Sequence, residues 1–230
     1  MTSVQHFDAA VARTATLVGD ESSAPARIAV SDPFYVRLGK RAFDIVAVLV
    51  AVVLLIPLLV VVTGLGLCLL GRPVFYRQVR LGRSGRPFVM LKFRSMRVDR
   101  RQLSQPMTQP DRRRTHKSAS DPRHTPFGRV IRRTSIDELP QLFNVLKGDM
   151  SIVGPRPELP EIAEAFGLVD HVRHTMRPGL TGLWQISEDR PGFVHENVRY
   201  DEEYVQTVSF AKDMSIIVKT IPVLLRGSGL

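Results

Sequence analysis

The stretch IVAVLVAVVLLIPLLVVVTGLGLCLL, from Ile45 to Leu70, decides how this chain is arranged. It runs for 26 positions without a charged residue, beyond the roughly 18–20 that mark a membrane helix. Basic residues flank it on both sides. Lys40 and Arg41 precede it, and Arg72, Arg77, Arg80, Arg83 and Arg86 follow. Positive residues favour the cytoplasmic face, so a simple span strands one flank on the wrong side. A helix that enters the bilayer, bends and leaves keeps both flanks together. Pro57 lies near the middle, where it removes a helical hydrogen bond and crowds the carbonyl four residues back. Each arm is then roughly 18–20 Å long at about 1.5 Å per residue, too short for a core of about 30 Å. The competing reading is an ordinary span with a proline kink, which membrane helices tolerate. The length argues against a buried helix of a soluble domain.

The chain has 230 residues, enough for one ordinary domain with additional segments. Its net charge of +10 and pI near 10.4 call for a polyanionic partner: nucleic acid, an anionic membrane or a phosphorylated substrate. From Arg72 to Arg133 there are eighteen Lys or Arg and only three acids, so the basic region begins where the apolar run ends. Nucleic acid is set aside as a partner. The arginines adjoin a membrane segment, alternate with Gly, Pro and aliphatic residues, and form no helix-turn-helix or zinc pattern. The one cysteine, Cys68, excludes an intramolecular disulfide and a Cys-rich zinc site. His171 and His174 stand three apart, with no carboxylate or third ligand in the pattern.

The pattern divides the chain into a poorly ordered N-terminal tail over 1–38, a membrane helix over 39–71 and a domain over 72–230 that carries the candidate chemistry. Gly82-Arg83-Ser84-Gly85 reads as a hairpin turn between short apolar pieces. Residues 97 to about 126 read as an exposed helix start and a loop. Phe127 to Leu146 reads as helix, Glu161 to Phe166 as a short helix, and Val194 to Leu225 as one or two amphipathic helices. The fold class is α+β and mainly helical: a membrane helix, either a re-entrant hairpin or a kinked span, a small β element, and amphipathic helices at the membrane interface.

Four clusters carry candidate chemistry. In Arg132-Arg133-Thr134-Ser135-Ile136-Asp137-Glu138-Leu139-Pro140-Gln141, Ser135 and Glu138 fit a capping box. Alternatively Asp137 is itself the cap, with Pro140 in the first turn. Either way both carboxylates stand at a helix start, where the dipole favours the anion. That suits a nucleophile or metal ligand, against the plainer reading of capping alone. Lys92-Phe93-Arg94-Ser95-Met96 alternates cations with apolar residues. With Arg77 and Arg80 it fits a diphosphate, or else a basic face against anionic lipid. In Gly154-Pro155-Arg156-Pro157-Glu158, Pro155 and Pro157 stiffen the backbone and fix Arg156, for a phosphate or nucleobase edge or as a rigid connector. Arg177-Pro178-Gly179-Leu180-Thr181-Gly182-Leu183-Trp184-Gln185 holds the only tryptophan, placed either in the core or at the membrane interface.

Taken together and in this order, these motifs resemble one family, the bacterial sugar transferases or monotopic phosphoglycosyl transferases. Lys40-Arg41-Ala42-Phe43-Asp44, Pro73-Val74-Phe75-Tyr76-Arg77-Gln78, Gly148-Asp149-Met150-Ser151 and Leu225-Arg226-Gly227 extend the likeness over about 39–229. The resemblance implies a ping-pong reaction. Asp137 attacks the β-phosphate of a UDP-sugar, UMP leaves, and polyprenyl phosphate takes the sugar phosphate from the aspartate. It implies Mg2+ as cofactor, with Asp137 and Glu138 as its ligands and Glu138 assisting catalysis. Arg77, Lys92, Arg94 and Arg133 would steady phosphate oxygens, and Arg156 between Pro155 and Pro157 would sit near the uridine. It also implies the bent membrane helix at Pro57, on the cytosolic face of the bacterial cytoplasmic membrane. Some members break that helix at Ser-Pro, whereas here the pair is Ile56-Pro57, so the freed carbonyls need another partner. Larger members carry a multi-helix membrane domain ahead of the catalytic part, and the likeness here is to the short form. The expected partners are the UDP-sugar, polyprenyl phosphate, the bilayer, a second copy in a homodimer and downstream glycosyltransferases. The rival function is a non-catalytic basic membrane scaffold that recruits anionic lipid or glycan-assembly enzymes.

Overall fold

The computed structural model describes residues 34–97, 125–190 and 192–226. Residues 1–33 of the tail expected over 1–38, and most of the expected polar loop (98–124), lie outside the described residues.

Helix α1, Lys40–Leu70, follows directly on a π-helical turn at Tyr35–Gly39. Helical structure thus starts a few residues ahead of the expected boundary at 39. The helix is uninterrupted through Pro57 and ends at Gly71, whose φ of +69° suits glycine. One stripe of α1 faces the rest of the protein: Val48, Val52, Leu55, Leu59 and Val62. Their spacing of three and four is one side of a helix. Val48 packs with Phe88, Met90, Leu142, Val145 and Met150. Val62 packs with Phe93 and Ile131. The opposite side leaves Val46, Leu49, Val53, Leu54, Val60 and Val61 exposed. An apolar surface of that length has no place in water and marks a membrane face.

After α1 comes the hairpin, β1 (Phe75–Leu81) against β2 (Pro87–Phe93), antiparallel from Phe75↔Phe93 to Leu81↔Pro87. The turn falls where Gly82-Arg83-Ser84-Gly85 placed it; Ser84 and Gly85 both take positive φ. The outer edge of β2 is closed by a side chain. Buried Asn144 accepts from the Leu91 amide at 3.0 Å and donates to the Val89 carbonyl at 2.6 Å. That satisfies strand groups left unpaired by a two-stranded sheet.

The single helix expected over 127–146 is broken in two. Helix α2 (Pro126–Arg133) is capped by Thr125, which accepts from the Gly128 amide at 3.0 Å. Ser135 then adopts φ 56°, in the left-handed region, which ends regular helix. A 3-10 turn (Ile136–Glu138) leads into α3 (Gln141–Lys147). Ser135 makes no side-chain cap bond and Pro140 occupies the cap position of α3, so neither expected capping scheme forms.

The remaining elements are β3 (Ser151–Val153), α4 (Pro160–Ala165), β4 (Gly179–Thr181), α5 (Leu183–Ile186), α6 (Arg199–Thr207) and α7 (Phe210–Leu225). β3 and β4 pair in parallel, Ser151↔Gly179 and Val153↔Thr181. The core around Val153, Met176, Tyr204, Val205, Val208 and Ile216 ties β3 to the two C-terminal helices. The architecture is mainly helical with two small sheets and one long apolar helix, as the sequence pattern implied, but α1 runs on through Pro57 as one helix and the expected re-entrant hairpin is not seen.

Candidate active site

Asp137 and Glu138 sit on the 3-10 turn between α2 and α3. Lys92, near the end of β2, reaches across and pairs with Glu138 Oε1 at 2.7 Å. Arg156 approaches the same oxygen at 3.5 Å. Two cations on one carboxylate outweigh the burial that opposes its charge, and they hold Glu138 down at about 2. Asp137 is in the opposite condition. Among the described residues no side chain is hydrogen-bonded or ion-paired to its carboxylate. Burial pushes it up to about 6, with the neighbouring Glu138 charge adding to the rise and Lys92, Arg132 and Arg156 opposing it. The pair is therefore differentiated: one carboxylate is locked into cations, the other is unengaged beside them.

Arg156 is aimed by backbone geometry. β3 runs into Gly154, whose amide donates to the Thr181 carbonyl at 2.9 Å, and the Gly179 amide donates to the Pro155 carbonyl at 2.8 Å. The two chains approach so closely that a Cβ at Gly154 would stand 2.4 Å from the Arg177 carbonyl oxygen. Pro155 and Pro157 fix the turn around Arg156. The buried Arg173 donates to the Arg156 carbonyl at 2.6 Å and pairs with Asp201 at 2.9 Å. The Arg156 guanidinium lies 5.8 Å from the centroid of Trp184, which is packed in the protein with 9% of its surface exposed. That cation–π approach and the Glu138 oxygen together fix the direction of the guanidinium.

The structure brings together Asp137, Glu138, Lys92 and Arg156, with Pro155 and Pro157 flanking. It places the other expected cations elsewhere. Arg94 donates to the carbonyls of Leu70, Gly71 (2.7 Å) and Arg72 (3.3 Å), the free acceptors at the end of α1. Arg77 is exposed, and strand alternation puts it on the opposite face of the hairpin from Lys92, which pairs with Tyr76. Arg133 is exposed; the cation of this pair with a charge effect on Asp137 is Arg132. Helical phase carried that signal, because Arg132 lies four residues after the buried Gly128 and Arg133 does not. Arg190, which sequence reasoning passed over, is within electrostatic reach of Arg156 and Glu138. Only its long-range position reveals it. The histidines serve other ends: His171 meets Glu202 at 3.1 Å, and buried His174 bridges the Gly82 and Leu168 carbonyls.

As a metal site the pair is sparse. Among the described residues no group of three His, Cys, Asp or Glu side chains comes together. Two adjacent carboxylates of hard oxygen donors, one of them unengaged, fit a cation whose remaining ligands are substrate phosphates and water, the usual habit of magnesium.

Comparison with known proteins gives the family. The sequence profile described as Bacterial sugar transferase matches residues 35–227. The chain is 40% identical over 199 residues to the exopolysaccharide production protein ExoY of Sinorhizobium fredii, covering 83% of this chain and 88% of that one. It is 38% identical over 207 residues to the UDP-glucose:undecaprenyl-phosphate glucose-1-phosphate transferase of Caulobacter vibrioides, covering 83% and 71%. It is 38% identical over 201 residues to the undecaprenyl-phosphate galactose phosphotransferase of Salmonella typhimurium, covering 84% and 42%. With nearly all of its described length matched and an acid pair set among cations beside a membrane helix, this chain belongs to the bacterial sugar transferase family of enzymes.

Proposed function

We propose that this enzyme transfers a sugar-1-phosphate from a UDP-sugar to undecaprenyl phosphate, as the first membrane step of surface glycan or exopolysaccharide synthesis. The observation that carries the reading is the unengaged Asp137 carboxylate beside a Glu138 already held by Lys92 and Arg156. The activities for which the Caulobacter and Salmonella relatives are named supply the substrate class. Those two differ in sugar, glucose against galactose, so the sugar used here is left unnamed.

In the proposed reaction Asp137 forms a bond to the β-phosphorus of the UDP-sugar. The bond from that phosphorus to the bridging oxygen breaks, and UMP departs with the electron pair. A phosphate oxygen of the polyprenyl acceptor then attacks the same phosphorus, returning the Asp137 carboxylate and forming polyprenyl diphosphate sugar. Lys92 and Arg156 stand where oxygens of the diphosphate can replace part of their contact with Glu138. Asp137 and Glu138 would hold Mg2+, which neutralises diphosphate charge when bound.

The same reading sets α1 in the bilayer from the cytosolic side, both ends on one face. Its support is that both ends of α1 are tied to the same catalytic body. At the start, Lys40 pairs with Asp213 and Arg41 with the α3 carbonyls; at the end, Arg94 holds Leu70 and Gly71. A helix crossing the membrane outright would carry one end away from that body. The decisive experiment incubates purified enzyme with undecaprenyl phosphate and a panel of UDP-sugars. Metal-dependent UMP release with at least one sugar is expected; no release with any of them, from enzyme that pellets fully with membranes, would favour the scaffold. For topology, Arg37→Cys and Arg86→Cys in a Cys68→Ser background are labelled in intact cells with an impermeant maleimide. Both sites should stay unlabelled until the membrane is opened, and labelling of one alone contradicts the bent arrangement.

A further inference from the structure

Three charged side chains lie in the first two turns of α1, at the base of the apolar helix, and each reaches a different part of the catalytic body. Lys40 Nζ pairs with Asp213 Oδ2 of α7 at 2.6 Å. Arg41 donates through both terminal nitrogens to the Val145 and Leu146 carbonyls, at 2.6 and 2.8 Å. Asp44 Oδ1 accepts from the Ile152 amide of β3 at 3.0 Å. Lys40 and Asp44 are buried, with 5% and 1% of their surface exposed. Anchoring a helix to a bilayer needs none of these contacts, since apolar area alone does that.

What the three contacts share is their targets. Val145 and Leu146 lie in the last turn of α3, the helix that begins three residues after Glu138. Ile152 is the middle of β3, which runs straight into Gly154-Pro155-Arg156. At the other end of α1, Arg94 holds the terminal carbonyls, and Arg94 lies two residues beyond Lys92 on the same chain segment. The segments that carry Glu138, Arg156 and Lys92 are thus each fastened to one helix. The Glu138 to Arg156 separation of 3.5 Å is set between two segments that meet at its first two turns.

We propose that α1 is the template of the active site as well as its anchor, with Arg41, Asp44 and Arg94 as positioning residues. Asp44 acts through β3 on Arg156, Arg41 acts through α3 on the acid pair, and Arg94 acts through β2 on Lys92. This rests on the transferase reading for its assay, but the geometry is independent of which sugar is used. Groups held through a shared rigid element lose their energetic independence, and paired substitutions reveal that loss.

The test is a double-mutant cycle on the rate of UMP release in a single turnover, with full-length enzyme in bilayer nanodiscs. Asp44→Ala is expected to slow release about tenfold in the native background, and less than about twofold when Arg156 is already alanine. Asp44→Asn keeps an acceptor for the Ile152 amide and is expected to recover most of the rate. Arg41→Met paired with Glu138→Gln is expected to behave alike, and serves as the cycle if Asp44→Ala is unfolded by circular dichroism. Additive losses in both cycles, or an Asp44→Asn enzyme no better than Asp44→Ala, overturn the proposal. Native enzyme that releases no UMP from any UDP-sugar defeats the transferase reading instead, and the native control separates the two failures.

Discussion

Neutralising Asp137 and neutralising Glu138 should change stability in opposite directions, although the two residues are neighbours on one turn. Burial moves the Asp137 carboxyl from 3.8 to about 6. A raised carboxyl costs the fold only when ionised. The penalty is small below about pH 4, grows between 4 and 6, and reaches a ceiling of about 3 kcal/mol above 7, at about 1.4 kcal/mol per pH unit. Asp137→Asn removes it. Glu138 moves the other way, from 4.5 to about 2 under Lys92 and Arg156. Its contribution is present above about 4.5 and is lost only as the pH falls toward 2. About a quarter of its side chain is exposed, so solvent screening leaves about 1–2 kcal/mol. Thermal melts in one detergent at pH 4.5 and 7.5 read both effects. At pH 7.5, Asp137→Asn should raise the midpoint by about 3–8 °C and Glu138→Gln should lower it by about 2–6 °C. At pH 4.5 the Asp137→Asn gain should shrink to about a third, while the Glu138→Gln loss persists. Shifts of the same sign at pH 7.5, or an Asp137→Asn gain independent of pH, would refute the division of labour drawn between the two carboxylates.

Three further outcomes follow from the same structure. The rate of UMP release without acceptor should fall about tenfold per pH unit below about 6, where Asp137 takes up its proton, and level off above it; a flat profile down to pH 5 counts against Asp137 as nucleophile. Gly154→Ala puts a methyl 2.4 Å from the Arg177 carbonyl oxygen, so it should cost about 1–3 kcal/mol in denaturant melts and remove activity, because β3 and β4 cannot both stay in place. Lys40→Met leaves Asp213, fully buried, without its cation at 2.6 Å. It should destabilise by about 3–5 kcal/mol, and adding Asp213→Asn should return part of that in the same melts.

Much of this arrangement was legible in the sequence because its signals are local. The uncharged run Ile45–Leu70, the turn at Gly82–Gly85 and the proline-fixed Arg156 each depend on residues close in the chain. Arg77 and Arg133 were misplaced against local signals, strand alternation and helical phase, whereas Arg94 was misplaced by contact between residues far apart in sequence. Arg94 alternates with Lys92 as a phosphate clamp would, yet the nearest unpaired acceptors are the carbonyls at the end of α1, 22 to 24 residues earlier. Arg41 meets α3 across 104 and 105 residues, and Lys40 meets Asp213 across 173. No periodicity encodes such pairings. The break at Ser135 escaped for a different reason: a serine in left-handed conformation has no composition signal.

The central claim is that Asp137 becomes covalently bound to the sugar phosphate. Enzyme mixed with its UDP-sugar and no polyprenyl phosphate, quenched within seconds and weighed intact, should gain the mass of one sugar phosphate. Peptide mapping should place it on Asp137, and polyprenyl phosphate added before the quench should discharge it. UMP release with no added mass, or an undiminished adduct in Asp137→Asn, would contradict the account.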